Sequence, residues 1–173
     1  QIDNYYTDRN VKLAEYMDEV YMFRKILIAS SSYKSNSLYM GGLFKMEDED
    51  FRLACAYELP DRPKDQASDR YWAWGTPIQH KDLLIMPGVG KLIAWNGQEC
   101  FTYLESEEFE PNKSETDVPH WLASDGENLF ISSFSSIYRV NGNNNALEKV
   151  FEMPSDSYDE LWRLVYDDEN NRL

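Results

Sequence analysis

The sequence has few cysteines, few histidines and a shortage of positive charge. Its 173 residues include two cysteines and two histidines, which is too few for a disulfide framework or a metal cage. Seventeen basic residues stand against 31 acidic ones, and the net charge of −14 would repel a nucleic-acid backbone. Nor does any glycine-rich phosphate loop occur. We therefore expect no nucleic-acid partner, no metal and no cofactor.

Long apolar runs are missing as well. No run of about eighteen apolar residues occurs, so no membrane-spanning helix is predicted. The opening residues 1–10 have neither the basic start nor the apolar stretch of a signal peptide, and because Gln1 is not Met we expect a processed or incomplete chain. We do not expect the chain to be disordered, since 42% of its residues are hydrophobic and 14% are aromatic.

What the chain does contain is an internal repeat. Residues 42–60 align without a gap with residues 136–154, at a constant offset of 136 − 42 = 94 residues. Both segments read as a β-hairpin, with its turn at 47–50 in the first copy and at 141–144 in the second, where Asn and Gly tolerate positive φ.

A third copy between these two predicts four strands in one unit. We expect strands at 76–79, 83–86, 91–95 and 101–104, separated by short turns. The first copy begins upstream in the same way, with "ILIAS" and then "LYMGG". The leucines predicted to open each second strand recur at intervals of 45, 46 and 44 residues: Leu38, Leu83, Leu129 and Leu173.

Four short strands in a unit of this length resemble the blades of the β-propeller repeat superfamily, and the resemblance covers nearly the whole chain. Leu38 to Gly42 look like the double-glycine strand of kelch repeats in one copy, and no Trp-Asp dipeptide closes a unit, so no specific subfamily is indicated. The resemblance implies an all-β propeller, or a propeller fragment, with four-stranded antiparallel blades of about 45 residues. An antiparallel sandwich is the alternative, but it has no reason to repeat a hairpin in sequence.

We predict one propeller-type domain over residues 1–173, and we expect it to be incomplete because its last unit stops just as its second strand should begin. An amphipathic helix is the alternative for residues 11–23, because apolar residues recur there at three and four residue intervals. The predicted units in chain order are the end of a preceding blade at 1–24, blades at 25–60, 76–105 and 120–154, connections at 61–75 and 106–119, and the start of a further blade at 155–173.

Blade topology predicts which loops share a face. The turns between second and third strands would lie at 41–42, 87–90 and 134–136, on the same side as the long connections between blades, where binding usually resides. The first connection is rich in aromatic and basic residues, and we predict a ligand site there at Arg70, Tyr71, Trp72 and Trp74. Strand alternation favours the alternative that both tryptophans belong to the core.

The second connection, at 105–119, and a third, at 155–160, are acidic and predict a surface for a cationic partner. Solvation of the chain is the alternative role of these acids. The residues predicted to contact a partner are Glu105, Glu107, Glu108, Glu110, Asp156 and Asp159.

No catalytic residue is predicted. His80 falls in a turn and His120 opens a first strand, so the two histidines would lie at opposite faces, each as a surface or structural residue. Cys55 and Cys100 fall in or beside the fourth strands of neighbouring units, and each is expected to be a buried, unreactive thiol.

The leading functional hypothesis is a non-catalytic β-propeller scaffold for protein-protein interaction through the face that carries the long connections. One alternative is a propeller that binds or cleaves carbohydrate, with aromatic residues stacking on sugar rings. Another is a structural component of a large assembly such as a phage tail, on fold-level analogy.

Overall fold

The computed structural model is all-β, with twelve strands in the part of the chain that it describes. That part comprises residues 11–29, 38–58, 76–88, 91–109, 121–133, 135–143, 145–154, 164–167, 169–170 and 172–173. Within these ranges, no helix has the length and apolar character needed to cross a membrane.

The strands form three four-stranded antiparallel sheets, each in simple chain order. Sheet A contains β1 (Lys12–Tyr16), β2 (Glu19–Ala29), β3 (Leu38–Glu47) and β4 (Asp50–Glu58). Sheet B contains β5 (Ile78–His80), β6 (Leu83–Pro87), β7 (Lys91–Trp95) and β8 (Cys100–Glu105). Sheet C contains β9 (Trp121–Ser124), β10 (Leu129–Ser132), β11 (Ser136–Val140) and β12 (Leu147–Glu152). The described strands form an open series and not a closed ring.

Tight turns join several of these strands. Met17 and Asp18, between β1 and β2, have φ of 50° and 60°, and Asp48 and Glu49, between β3 and β4, have φ of 48° and 72°. Positive φ at both central residues is typical of the hairpin turn whose twist matches that of the strands. The predicted turn at 47–50 is therefore confirmed, although acidic residues and not Asn or Gly occupy its centre.

The predicted repeat is confirmed at the level of the sheet. The four strands predicted for the middle copy correspond to β5–β8, and the two aligned hairpins correspond to β3–β4 and β11–β12. Each sheet also has a one-residue bulge at the same place, where the third strand pairs with the fourth. The residues left without a partner at these bulges are Ala54, Tyr103 and Val150.

Sheet A departs from the predicted strand assignment. Residues 12–24 form β1 and part of β2, which pair within sheet A, so they neither end a preceding blade nor form a helix. The reason is length: β2 and β3 have 11 and 10 residues, so "ILIA" at 26–29 continues β2 instead of opening a sheet. Leu38 consequently opens a third strand, whereas Leu83 and Leu129 open second strands.

The two glycines predicted for a turn, Gly41 and Gly42, lie inside β3 and are buried. A β-carbon on Gly41 would collide with the ring of Tyr57 on β4. Because glycine has no side chain, it permits this close approach, and the double glycine is a packing feature of sheet A.

Sheet B lies between the other two and is buried on both faces. On β6, Leu84 and Met86 belong to the core shared with sheet A, while Ile85 belongs to the core shared with sheet C. Successive side chains of a strand point to opposite faces, so a strand buried on both sides must be apolar throughout. This explains the continuous runs "LLIMP" and "KLIAW".

The first strands of the three sheets are neighbours, since β1 contacts β5 and β5 contacts β9. Hydrogen bonds join the turns at their ends. The hydroxyl of Tyr16 donates to the Asp82 carbonyl at 2.7 Å, and Nδ1 of His80 lies 2.7 Å from Oγ of Ser124. We call the side of the molecule that carries these turns, at 17–18, 81–82 and 125–128, the turn face.

The last described residues contain a turn with the same hydrogen bonds as a turn of sheet C. Asp125 accepts hydrogen bonds from the backbone and side-chain amides of Asn128, and Asp167 accepts the same pair from Asn170. Asp167 also forms an antiparallel bridge with Arg172. Tyr166 stacks on Phe130 of β10, with ring centroids 6.2 Å apart, so Tyr166 packs against the face of sheet C that points away from sheet B.

A disulfide joins Cys55 of β4 to Cys100 of β8, with the two Cα atoms 6.1 Å apart. The prediction of two unreactive thiols is therefore wrong. The two cysteines are 45 residues apart, and only the stacking of sheet A on sheet B brings their fourth strands together. The bond fastens the outer edges of two sheets whose inner strands are already in contact.

Replacing both cysteines by serine should lower the free energy of unfolding. The disulfide closes a segment of 45 residues, and the chain-entropy model assigns such a loop up to about 4 kcal/mol. Urea unfolding of the double variant and the oxidised wild type measures the difference. Dithiothreitol should destabilise the wild type and leave the double variant unchanged. Equal stability of the double variant and the oxidised wild type would contradict the pairing.

Candidate functional site

An ordered acidic surface lies where β8 leaves sheet B. Glu105 is the last residue of β8, and Glu107 and Glu108 follow in a short 3-10 turn; all three are exposed. We call these three residues the acidic edge. They form the described part of the partner surface predicted from the sequence.

The acidic edge is held by a buried aromatic side chain. Phe109, the last residue of the 3-10 turn, is 0% exposed and packs edge-on against Tyr138 of sheet C, with ring centroids 5.4 Å apart. The amides of Glu108 and Phe109 donate to the side chain and the carbonyl of Ser106. The three carboxylates therefore extend from a backbone that is anchored in the core between sheets B and C.

The other residues of the predicted sites lie outside the described part of the chain. For the partner surface these are Glu110, Asp156 and Asp159, and for the ligand site Arg70, Tyr71, Trp72 and Trp74. The predicted ligand site stays a prediction.

The structure also contains a cleft of about 630 Å³ between the first strands of the sheets, which we call the first-strand cleft. A volume of this size is within the usual range of small-molecule sites. The described residues that line it are Lys12 of β1; Thr76, Ile78 and Gln79 at β5; Trp121, Leu122, Ala123 and Ser124 of β9; and Leu164, Val165 and Tyr166.

Sequence reasoning did not find this cleft. Its walls come from four segments that are far apart in the chain, and each contributes only a few side chains. Lys12 and Trp121 are 109 residues apart (121 − 12), yet Nζ of Lys12 lies 5.8 Å from the centroid of the Trp121 ring. No local motif marks either residue, because their proximity depends on how three sheets stack.

A serine-histidine pair lies at the turn-face end of the cleft. Ser124 lines the cleft, and its Oγ lies 2.7 Å from Nδ1 of His80. The same Oγ accepts a hydrogen bond from the backbone amide of Gly126 at 3.0 Å. His80 is 1% exposed, and its Nε2 has no hydrogen-bond partner among the described residues. A nucleophilic serine needs a histidine that is oriented by a third group, and the described residues supply none. The described geometry of the pair is that of a contact between sheets B and C, and the structural role predicted for His80 stays a prediction.

The environment of His80 disfavours its charged form. Burial lowers its pKa, and the nearby Lys81 lowers it further, while Asp125 acts in the opposite direction. Among the described residues, no group of His, Cys, Asp or Glu is arranged to hold a metal ion. His120 lies outside the described residues.

Comparison with known proteins does not assign the chain to a family. No protein-family model matches the sequence, and no curated protein is similar to it in sequence. The function is therefore argued from the residues of this chain alone.

Stability should decrease as the pH falls below about 6.5, the ordinary pKa of histidine. Because the folded state holds the pKa of His80 below that value, the unfolded state binds the proton more readily. The contribution of neutral His80 is complete above pH 6.5 and is lost as the pH falls toward the folded pKa. Urea unfolding between pH 7.5 and 5 measures this loss.

The matched controls are His80→Asn and His120→Asn. The first should flatten the pH dependence, and the second should leave the contribution of His80 in place. Asp125 remains ionised in this range: burial raises its pKa, but hydrogen bonds from Asn128 and Glu127 and the nearby His80 together lower the pKa below its ordinary value. An equally steep decline in His80→Asn and the wild type would show that other groups are responsible.

Proposed function

We propose that this chain is a segment of a β-propeller that acts as a non-catalytic scaffold and binds a basic protein through the acidic edge. Three properties support the propeller: the sheets stack in chain order, their first strands are neighbours, and each has the same bulge between its third and fourth strands. Four-stranded blades around an axis have this arrangement.

The anchoring of the acidic edge by Phe109 is the observation that carries the binding proposal. Exposed acids on a chain of charge −14 need no partner to explain them, because solvation alone accounts for many of them. Glu107 and Glu108 differ in that they belong to a 3-10 turn whose last residue, Phe109, is completely buried. A surface that is already ordered loses less entropy on binding, and several carboxylates together steer a cationic partner toward it.

The disulfide bears on the compartment in which such a scaffold would fold. Structural disulfides form and persist in oxidising environments and are rare in the cytosol. The bond between Cys55 and Cys100 therefore favours a chain that folds outside a reducing compartment, and its basic partner would be encountered there.

Charge reversal of the acidic edge should weaken binding of a basic probe by about tenfold, because three attractive groups become repulsive. The variant is Glu105→Lys with Glu107→Lys and Glu108→Lys. The probe is a fluorescent peptide rich in Lys and Arg, and its affinity is measured by fluorescence anisotropy at low and at physiological ionic strength.

A second triple variant separates the surface from the net charge. Its members are exposed acids at turns of the three sheets: Glu49→Lys, Glu99→Lys and Glu127→Lys. Each triple changes the net charge from −14 to −14 + 6 = −8. The control should reduce the affinity by less than about twofold. Equal weakening by the two triples would show general charge attraction and would overturn the assignment of the acidic edge.

A further inference from the structure

The first-strand cleft differs in charge from the rest of the molecule. Its described lining contains one cation, Lys12, and no carboxylate, although the whole chain has 31 acids and 17 bases. The long-range field of the chain repels anions, so an anionic group must be recognised in the cleft by short-range contacts. The side chains that line the cleft can supply those contacts.

Among the described residues, Lys12 has an aromatic neighbour and no counter-ion. It lies at the start of β1, half-buried, with its ammonium 5.8 Å from the centre of the Trp121 ring. None of the ion pairs formed by the described residues includes Lys12. An aromatic face attracts a cation but carries no charge of its own. The ammonium is therefore restrained in position and still available to the carboxylate of a ligand.

The remaining walls combine apolar and hydrogen-bonding groups. Ile78, Leu122 and Leu164 supply aliphatic surface, and the indole of Trp121 supplies a flat ring. Thr76, Gln79 and Ser124 supply hydroxyl and amide groups. Gln79 is fixed in direction, because its Nε2 donates to the Lys81 carbonyl at 3.1 Å.

These groups fit one class of small molecule. A sugar ring has an apolar C–H face that packs on an aromatic ring and hydroxyls that bond to amide and hydroxyl side chains. A carboxylate on that sugar would form a charge-assisted hydrogen bond with Lys12. We infer that the first-strand cleft binds an acidic saccharide, a sugar or short oligosaccharide that carries a carboxylate.

This site is separate from the acidic edge. The cleft is formed by β1, β5, β9 and residues 164–166, whereas the acidic edge begins at the end of β8. The inference therefore does not depend on the proposed protein partner. The charge-reversal variant of the acidic edge should bind the saccharide no more weakly than the wild type does.

The test uses trigalacturonic acid as the probe and maltotriose as a neutral trisaccharide of the same length. Isothermal titration calorimetry of the full chain should show saturable binding of the acidic sugar and at least about tenfold weaker binding of the neutral one. Lys12→Gln should reduce the affinity for the acidic sugar by about tenfold and leave the affinity for maltotriose unchanged. Trp121→Ala should weaken the binding of both sugars.

Lys149→Gln is the matched control. Nζ of Lys149 also lies 5.8 Å from the centre of an aromatic ring, that of Tyr138, but Lys149 is on the outermost strand β12, away from the cleft. The same change of charge is made there, so this variant should bind trigalacturonic acid with unchanged affinity. Because Lys12 is a half-buried residue at the beginning of a strand, Lys12→Gln should fold even if Trp121→Ala does not.

Three results would overturn the inference. The first is the absence of saturable binding of trigalacturonic acid at millimolar concentration. The second is equal affinity for the acidic and the neutral sugar. The third is equal weakening by Lys12→Gln and Lys149→Gln, which would assign the effect to net charge and not to the cleft.

Discussion

The structure depends on the burial of sheet B from both sides. Leu84 and Met86 must fit sheet A, while Ile85 between them must fit sheet C, so a strand of five residues serves two cores. Apolar burial is non-directional and supplies most of the stability, but interdigitation of side chains makes the stacking specific. A change of register by one residue in β6 would exchange the two sets and disrupt both cores.

Directional contacts then align the stacked sheets. Tyr16 and His80 are each the last residue of a first strand, both are buried, and each forms a hydrogen bond to a residue at the corresponding turn of the next sheet. Burial would be costly for these polar groups without partners, so the bonds favour one alignment of neighbouring turns. At the opposite, outer edge, the bond between Cys55 and Cys100 fixes sheet A on sheet B. Two contacts of different chemistry thus hold the inner and outer edges of one interface.

The same stacking creates the two candidate binding surfaces. Phe109 enters the core between sheets B and C, which holds the acidic edge at its margin. The first strands lie side by side, and the space between them is the first-strand cleft, with Lys12 and Trp121 brought together from sheets A and C. One surface is acidic and the other has a single cation in its described lining. The two surfaces therefore suit ligands of opposite charge on one scaffold.

Strand periodicity and turn residues by themselves determined the all-β class, the middle sheet almost residue for residue, and the hairpins of sheets A and C. These features are local, because side chains alternate along a strand and a few residues decide a turn. Sequence spacing failed at sheet A, where β2 and β3 are about twice as long as β6 and β7 of sheet B and shift the position of Leu38. Only the tertiary structure decided the pairing of Cys55 with Cys100 and the contact of Lys12 with Trp121. The members of these pairs are 45 and 109 positions apart in the sequence, and whether they meet depends on how whole sheets pack.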